Sequence, residues 1–280
     1  MKLGQVICAC TRLRGGAGIP AARTGLGGPR APQGRDRVGN VRTMASSRAT
    51  PRQHVSSLSE ESARSGQKRA AARAAAELVE DGMRLGLGTG STVAYLLPAI
   101  AASGYKNLRC VATSPMTELA ASALGLTVEA LDEVGELDLA IDGADQIDSK
   151  GWLIKGGGGA HTREKIVACS AQRFVVIASA NKAVSELAPP VPLELVPFGV
   201  KRTLLSLDPA RLRDVEPSPD GGLIADYFGP IDDPRGLAAR LSATPGVVEH
   251  GLFAPEMVSL IVIAGEGAIE RRAGGKPRLD

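Results

Sequence analysis

Apolar residues along this chain come in short blocks set off by glycine, proline and charge. Ser59 followed by Glu60 and Glu61 predicts a helix start, with the acids at the positive end of the helix dipole. The alanine-rich stretch behind it continues that helix to Gly82. MRLGLGTGS, from Met83, reads as a short strand entering a glycine turn, and STVAYLLPAIAASG as the next helix. LRCVATS, TVEAL, LDLAIDGAD and RFVVIAS read as strands, with TELAASALG and TREKIVACSA as helices among them. Such alternation predicts a mostly parallel sheet flanked by helices.

The pattern changes at PPVPLELVPF, which begins at Pro189. A helix near 200–206, a hairpin in PSPDGGLIADY and a helix in PRGLAARLSA predict a small α+β unit. VVEHGLF and VSLIVIAGEG read as two further strands, the last rejoining the first sheet, and RRAGGKPRLD reads as a frayed tail. The expected organisation is a sheet domain over 58–190 completed by 250–272, a small domain over 191–249 and a tail over 273–280.

Composition refines this picture in two places. Aromatics make up only 3% of the 280 residues, so Leu, Val, Ile and Ala must fill the core. The net charge of +3 hides an asymmetry: residues 1–57 hold ten Lys/Arg and a single acid, Asp36, which leaves 58–280 with a net of −6. The body is therefore mildly acidic, without the basic face that nucleic-acid binding needs. No apolar run approaches the roughly 18–20 residues of a membrane span. Residues 1–57 show neither strand nor helix periodicity and are expected to be disordered. Their Arg-rich, acid-poor makeup resembles a transit peptide. Because no amphipathic helix accompanies it, the preferred reading is an extended start, with Met44 as an initiator, and a cytoplasmic location. The cysteines (Cys8, Cys10, Cys110, Cys169) fit neither a disulfide framework nor a metal motif and are expected to be reduced, Cys110 and Cys169 being buried. Three dispersed histidines (His54, His161, His250) offer little for a metal site.

The chemistry-bearing residues concentrate at strand ends, where ligands bind in open parallel sheets. GLGTGST (Gly86 to Thr92) follows a strand and opens a helix. Its bare backbone and its Ser and Thr hydroxyls suit a phosphate, although an ordinary glycine-rich turn explains it equally well. It is neither a dinucleotide fingerprint nor a P-loop. IDGAD ends another strand, and Asp142 and Asp145 taken singly are explained by a turn and a cap. Lys155 follows the apolar WLI, Gly156 to Gly159 supply unshielded N–H groups, and Glu164 lies at a helix start. Jointly, a carboxylate base, an ammonium and bare amides suit proton transfer between adjacent sugar carbons through an enediolate.

In order along residues 66–265, GTGST, IDGAD, IKGGGGAHTREKIV, NKAV and PGVVEHGLF resemble the type A ribose-5-phosphate isomerases. The resemblance implies a Rossmann-like, mostly parallel sheet domain with a small ferredoxin-like α+β lid. It also implies interconversion of ribose 5-phosphate and ribulose 5-phosphate without metal or cofactor, and a homodimer or homotetramer. On it, Glu164 is the base moving the proton between C1 and C2. Asp142 and Asp145 contact sugar hydroxyls and help open the ring, and Lys155 with Gly156, Gly157 and Gly158 steadies the oxyanion. Thr89, Gly90, Ser91 and Thr92, with Gly143, Ala144, Lys182 and Lys68, complete the substrate site. The sequence departs from the family pattern at Gln146, where a glutamate is usual, at SPDGG (Ser218 to Gly222) and at TSPMTELAAS from Thr113. Rival readings are a non-catalytic sugar-phosphate sensor, a related deaminase or CoA-transferase-like enzyme, and a nicotinamide-dependent dehydrogenase. The sensor needs a lost base and a DNA-binding module. The deaminase needs a further His–acid pair, and the dehydrogenase needs the missing glycine fingerprint.

Overall fold

The computed structural model describes residues 51–276. After helix α1 (Pro51–Ala76) the chain alternates through β1 (Arg84–Leu87), α2 (Val93–Ala102), β2 (Arg109–Ala112), α3 (Pro115–Ala123), the short α4 (Leu131–Val134) and β3 (Leu137–Gly143). Two short strands, β4 (Gln146–Ile147) and β5 (Leu153–Ile154), precede α5 (His161–Cys169) and β6 (Ala171–Ser179). The small domain comprises β7 (Val191–Leu195), α6 (Val200–Ser206), β8 (Ala210–Leu212), β9 (Leu223–Tyr227), α7 (Pro234–Ser242) and β10 (Val247–His250). Strands β11 (Leu252–Phe253), β12 (Leu260–Ala264) and β13 (Ile269–Ala273) follow.

The main sheet has the order β13-β12-β6-β3-β1-β2 and is parallel except for β13. Period-2 alternation sorts its side chains onto two faces. Leu139, Ile141, Val175 and Ile177 pack under α1 and α2, whereas Ala140, Phe174 and Val176 pack with Val167 and Ala168 of α5. With so few aromatics, α1 contributes Ala71, Ala72, Ala75 and Ala76, whose small side chains let the helix lie close to the sheet. The small domain has the β-α-β-β-α-β order and the antiparallel strand order β10-β7-β9-β8 of a ferredoxin-like fold. A third sheet, β11-β5-β4, joins the segment after β3 to the chain returning from the small domain.

Several elements differ from expectation. Helix α1 begins at Pro51, a residue suited to a first helical position, so it runs through Ser59 rather than starting there. Pro51 to Ser57 are therefore helical, while the rest of the expected disordered extension, with Met44, Cys8 and Cys10, lies outside the described residues. The helix ends at Ala76, and Gly82 instead takes the positive φ of the turn into β1. TVEAL forms only a single bridge, Val128 to Cys110, because the chain turns into α4 at Leu131. The tail is not frayed as far as Lys276. Strand β13 pairs along all of β12, and the N–H groups of Gly274, Gly275 and Lys276 bond to the carbonyls of Ser259, Pro255 and Val258. The thiol of Cys110 is buried, and its burial pushes its pKa up to about 12, but Cys169 is exposed at the end of α5.

Candidate active site

Strand β1 lies between β2 and β3, so the winding of the sheet reverses there, and the carboxyl ends of β1 and β3 open a crevice. Two of the polar runs emerge at this point. The register pairs Leu87 with Ile141, which brings Gly88 beside Asp142. A Cβ on Gly88 would lie 2.0 Å from the Asp142 carboxyl, so the turn can pass only as glycine. Asp142 Oδ1 accepts the N–H groups of Thr89 at 3.1 Å and Gly143 at 2.6 Å.

Asp142 shares with Ala140 the face of β3 that looks toward α5, and Lys155 arrives in the same space from β5. Lys155 Nζ lies 2.8 Å from Asp142 Oδ2 and 3.1 Å from Glu164 Oε2, and donates to the Gly143 carbonyl at 2.6 Å. The side chains of Lys155, Asp142 and Glu164 are only 2%, 4% and 6% exposed. One ammonium between two carboxylates gives the trio a buried charge of −1 when all are ionised. Burial first, and then the charge of Asp142, push Glu164 up to about 8, with Lys155 pulling the other way. Burial also raises Asp142 above the usual carboxylate range against the pull of Lys155. For Lys155, burial opposes the charge but the two carboxylates outweigh it, and its pKa stands above that of an ordinary lysine. A carboxyl titrating near 8 is matched to accepting and returning a proton near neutral pH.

The chain after Lys155 turns at Gly156, whose φ of 101° and missing Cβ leave room for His161, the ring Nδ1 of which would be 2.6 Å from a Cβ there. The His161 ring is fully buried, its two nitrogens have no hydrogen-bond partner among the described residues, and burial lowers its pKa to about 3. It is a neutral spacer beneath the turn. Above it the Gly157 N–H donates to Asp145 Oδ2 at 2.7 Å.

These groups surround a cleft of about 110 Å³. Thr89, Gly90, Ser91 and Thr92 form one wall, Gly143, Ala144 and Asp145 a second, and Lys155, Gly156, Gly157, Gly158 and Glu164 a third, with Lys182 at the rim. Lys68 reaches over from α1 and donates to Ser91 Oγ at 2.9 Å. The two aspartates separate: Asp145 faces the cleft, but Asp142 lies behind its wall because its carboxylate is taken up by two amides and Lys155. Gln146 points elsewhere. Its Nε2 donates to the Ala188 carbonyl at 2.7 Å and its Oε1 accepts the Ala188 N–H at 2.8 Å, a two-bond pairing in which a carboxylate could only accept.

Sequence reasoning missed the supports of the site. Thr117 Oγ1 donates to the Gly88 carbonyl at 2.9 Å, and Thr113 Oγ1 lies 2.8 Å from Thr89 Oγ1, so the unusual TSPMTELAAS segment buttresses the phosphate-like turn. Buried Glu194 of β7 accepts hydroxyls from Thr162 of α5 and Ser218 of the SPDGG turn. Arg163, next to Glu164, is bidentate to Asp220 of that turn, with both contacts at 2.7 Å. The SPDGG and TSPMTELAAS departures were the only local signals, since their partners lie far apart in sequence.

Residues 109–268 match the family model "Ribose 5-phosphate isomerase A (phosphoriboisomerase A)". The ribose-5-phosphate isomerase A of Caulobacter vibrioides NA1000 is 46% identical over 218 residues, covering 72% of this chain and 96% of that protein. The crystal structure of ribose 5-phosphate isomerase A from Neisseria gonorrhoeae superposes with a TM-score of 0.72 at 34% identity, covering 75% of this chain and 97% of that one. A D-ribose-5-phosphate isomerase in complex with phospho-erythronic acid superposes with a TM-score of 0.70 at 33% identity, covering 74% of this chain and 98% of that one. The chain belongs to the ribose 5-phosphate isomerase A family and is an aldose–ketose isomerase of ribose 5-phosphate.

Proposed function

We propose that Glu164 is the base of this isomerisation and that it works without metal. In the open-chain aldose, the Glu164 carboxylate takes the C2 proton, and the electron pair forms the C1–C2 double bond as the negative charge moves to O1. The proton then returns to C1 while the O2 hydroxyl proton passes to O1, leaving the C2 ketone. Lys155 and the Gly158 amide hold the enediolate oxygens, where preorganised donors contribute most, while the Gly157 amide orients Asp145. Asp145 receives sugar hydroxyls and assists ring opening. Asp142 acts through Lys155, fixing the ammonium and, by its charge, keeping Glu164 basic enough to return its proton. The phosphate sits on the Thr89–Thr92 turn at the start of α2, with Lys68 and Lys182 beside it. The single observation that carries this reading is the buried Asp142–Lys155–Glu164 trio.

The test is turnover of ribose 5-phosphate by the full chain in EDTA, with Glu164→Gln alongside. The expected result is an unchanged wild-type rate and a loss of about 10²–10⁴-fold in kcat for the variant, with KM within a few-fold. Wild-type kcat/KM should rise with pH through an ascending limb near 8, the free-enzyme value of the base. Metal dependence, or near-normal kcat in the variant, would overturn the mechanism.

The proposal extends to a homo-oligomer, dimer or tetramer, and to a cytoplasmic location. Phe198 is 92% exposed and Val196 and Leu205 are also exposed, an apolar surface of the kind a second copy covers. The free thiols of Cys110 and Cys169 fit a reducing compartment.

A further inference from the structure

The bare amides that line the cleft after Lys155 belong to glycines, which have no side chain to fix the orientation of their peptide planes. Something else must aim them. Arg213, immediately after β8 in the small domain, donates from Nη1 to the carbonyls of Gly156 and Gly157, both at 3.0 Å. Its remaining edge is bidentate to Asp226 of β9, Nε to Oδ2 at 2.7 Å and Nη2 to Oδ1 at 2.6 Å. Four of the five guanidinium N–H groups are thereby committed, and the plane has no freedom left to turn. The pair is largely shielded, with side-chain exposures of 18% and 15%.

A trans peptide is planar, and its N–H points opposite to its C=O. Pulling the Gly156 carbonyl toward Arg213 therefore turns the Gly157 N–H the other way, where it donates to Asp145 of the cleft. Pulling the Gly157 carbonyl does the same for the N–H of Gly158, which lines the cleft beside Glu164. One guanidinium thus touches two consecutive peptide planes; the first is held also by the Gly159 N–H on the Gly156 carbonyl at 3.0 Å, so the Gly157–Gly158 plane depends on Arg213 most.

We infer that Arg213, held by Asp226, is a positioning residue of the isomerase: it reaches from the small domain to keep the Gly157 amide on Asp145 and to aim the Gly158 amide at the developing oxyanion. This rests on the proposed role of those glycines. Neither residue touches the cleft, so their effect is expected on the transition state rather than on substrate affinity. A lysine cannot replace Arg213, because a single ammonium cannot span two carbonyls and a carboxylate with one fixed plane.

The experiment measures kcat and KM for Arg213→Gln, Arg213→Lys and Asp226→Asn in the full chain, with thermal unfolding and with Glu164→Gln in the same assay. Misplacing reacting groups by about 1 Å from a distance is worth up to ~10²-fold. Arg213→Gln and Arg213→Lys should each lose about 10–100-fold in kcat with KM within about threefold. Asp226→Asn, which keeps the shape and is the variant least disruptive to folding, should lose less in the same direction, and Arg213→Gln/Asp226→Asn should be no worse than Arg213→Gln. A folded Arg213→Gln with kcat within twofold of wild type, or Arg213→Lys with full activity, would overturn the brace while an inactive Glu164→Gln leaves the mechanism standing. Near-normal kcat in Glu164→Gln would instead remove the mechanism itself.

Discussion

Glu164 illustrates how one buried side chain sets both activity and stability. Its folded pKa of about 8 stands above the ordinary glutamate range. Between those values the unfolded chain has lost the proton that the folded chain keeps, so stability declines as pH rises through this window. Glu164→Gln removes the surplus carboxylate while Lys155 keeps Asp142. The variant is expected to melt higher than wild type by on the order of 2–8 °C at pH 8.5, with the gap closing near pH 5. Equal melting curves at pH 8.5 would refute the cost of ionising Glu164 beside Asp142. Gln146 stands where the family pattern usually has a glutamate. The amide is instead spent on Ala188. Gln146→Glu should forfeit one hydrogen bond, costing about 1 kcal/mol in a denaturant titration, with kcat within twofold. A large kcat change would return Gln146 to the catalytic field. The cleft residues were legible because they cluster in a few short runs. Their supports were not, since Arg213 and Glu194 meet their partners only through tertiary folding.

At the scale of elements, the alternation of apolar blocks located every strand of the main sheet except β13, and both helices of the small domain. Ends were less legible. A serine before two acids is a good cap signal, but α1 overrides it by continuing back to Pro51. The polar IERRA of β13 lacks any apolar pattern because it is an edge strand whose side chains are mostly exposed, so only its partner β12 reveals it. Where two elements meet closely, a single atom decides. Gly88 after β1 passes against Asp142 of β3, and Gly88→Ala puts a Cβ on that carboxyl. It should cost about 1–3 kcal/mol and lower kcat at least about tenfold by displacing Asp142 from Lys155. Wild-type kcat and melting temperature in that variant would show that the turn has slack.

On the scale of the whole molecule, the related isomerases account for nearly all of their own length within about three quarters of this chain. The described residues 51–276 hold all three sheets and every residue of the cleft. A chain beginning at Ala49 is therefore expected to match the full chain in kcat and melting temperature, and a loss of either would give the N-terminal segment a part in the enzyme. The small domain was legible as a change of pattern after Pro189, but its strand order was not, because proline-punctuated short strands leave pairing open. That domain is inserted between β6 and β12, two adjacent parallel strands of the main sheet. The insertion has a consequence for synthesis. A ribosome delivers β7 to β10 before β12 exists, so the inserted unit is complete while its host sheet still lacks the strands that close its edge. During that interval β6 presents an unpaired flank of Val175, Val176 and Ile177, and the nascent enzyme is most exposed to aggregation there, until the last tenth of the chain emerges to cover it.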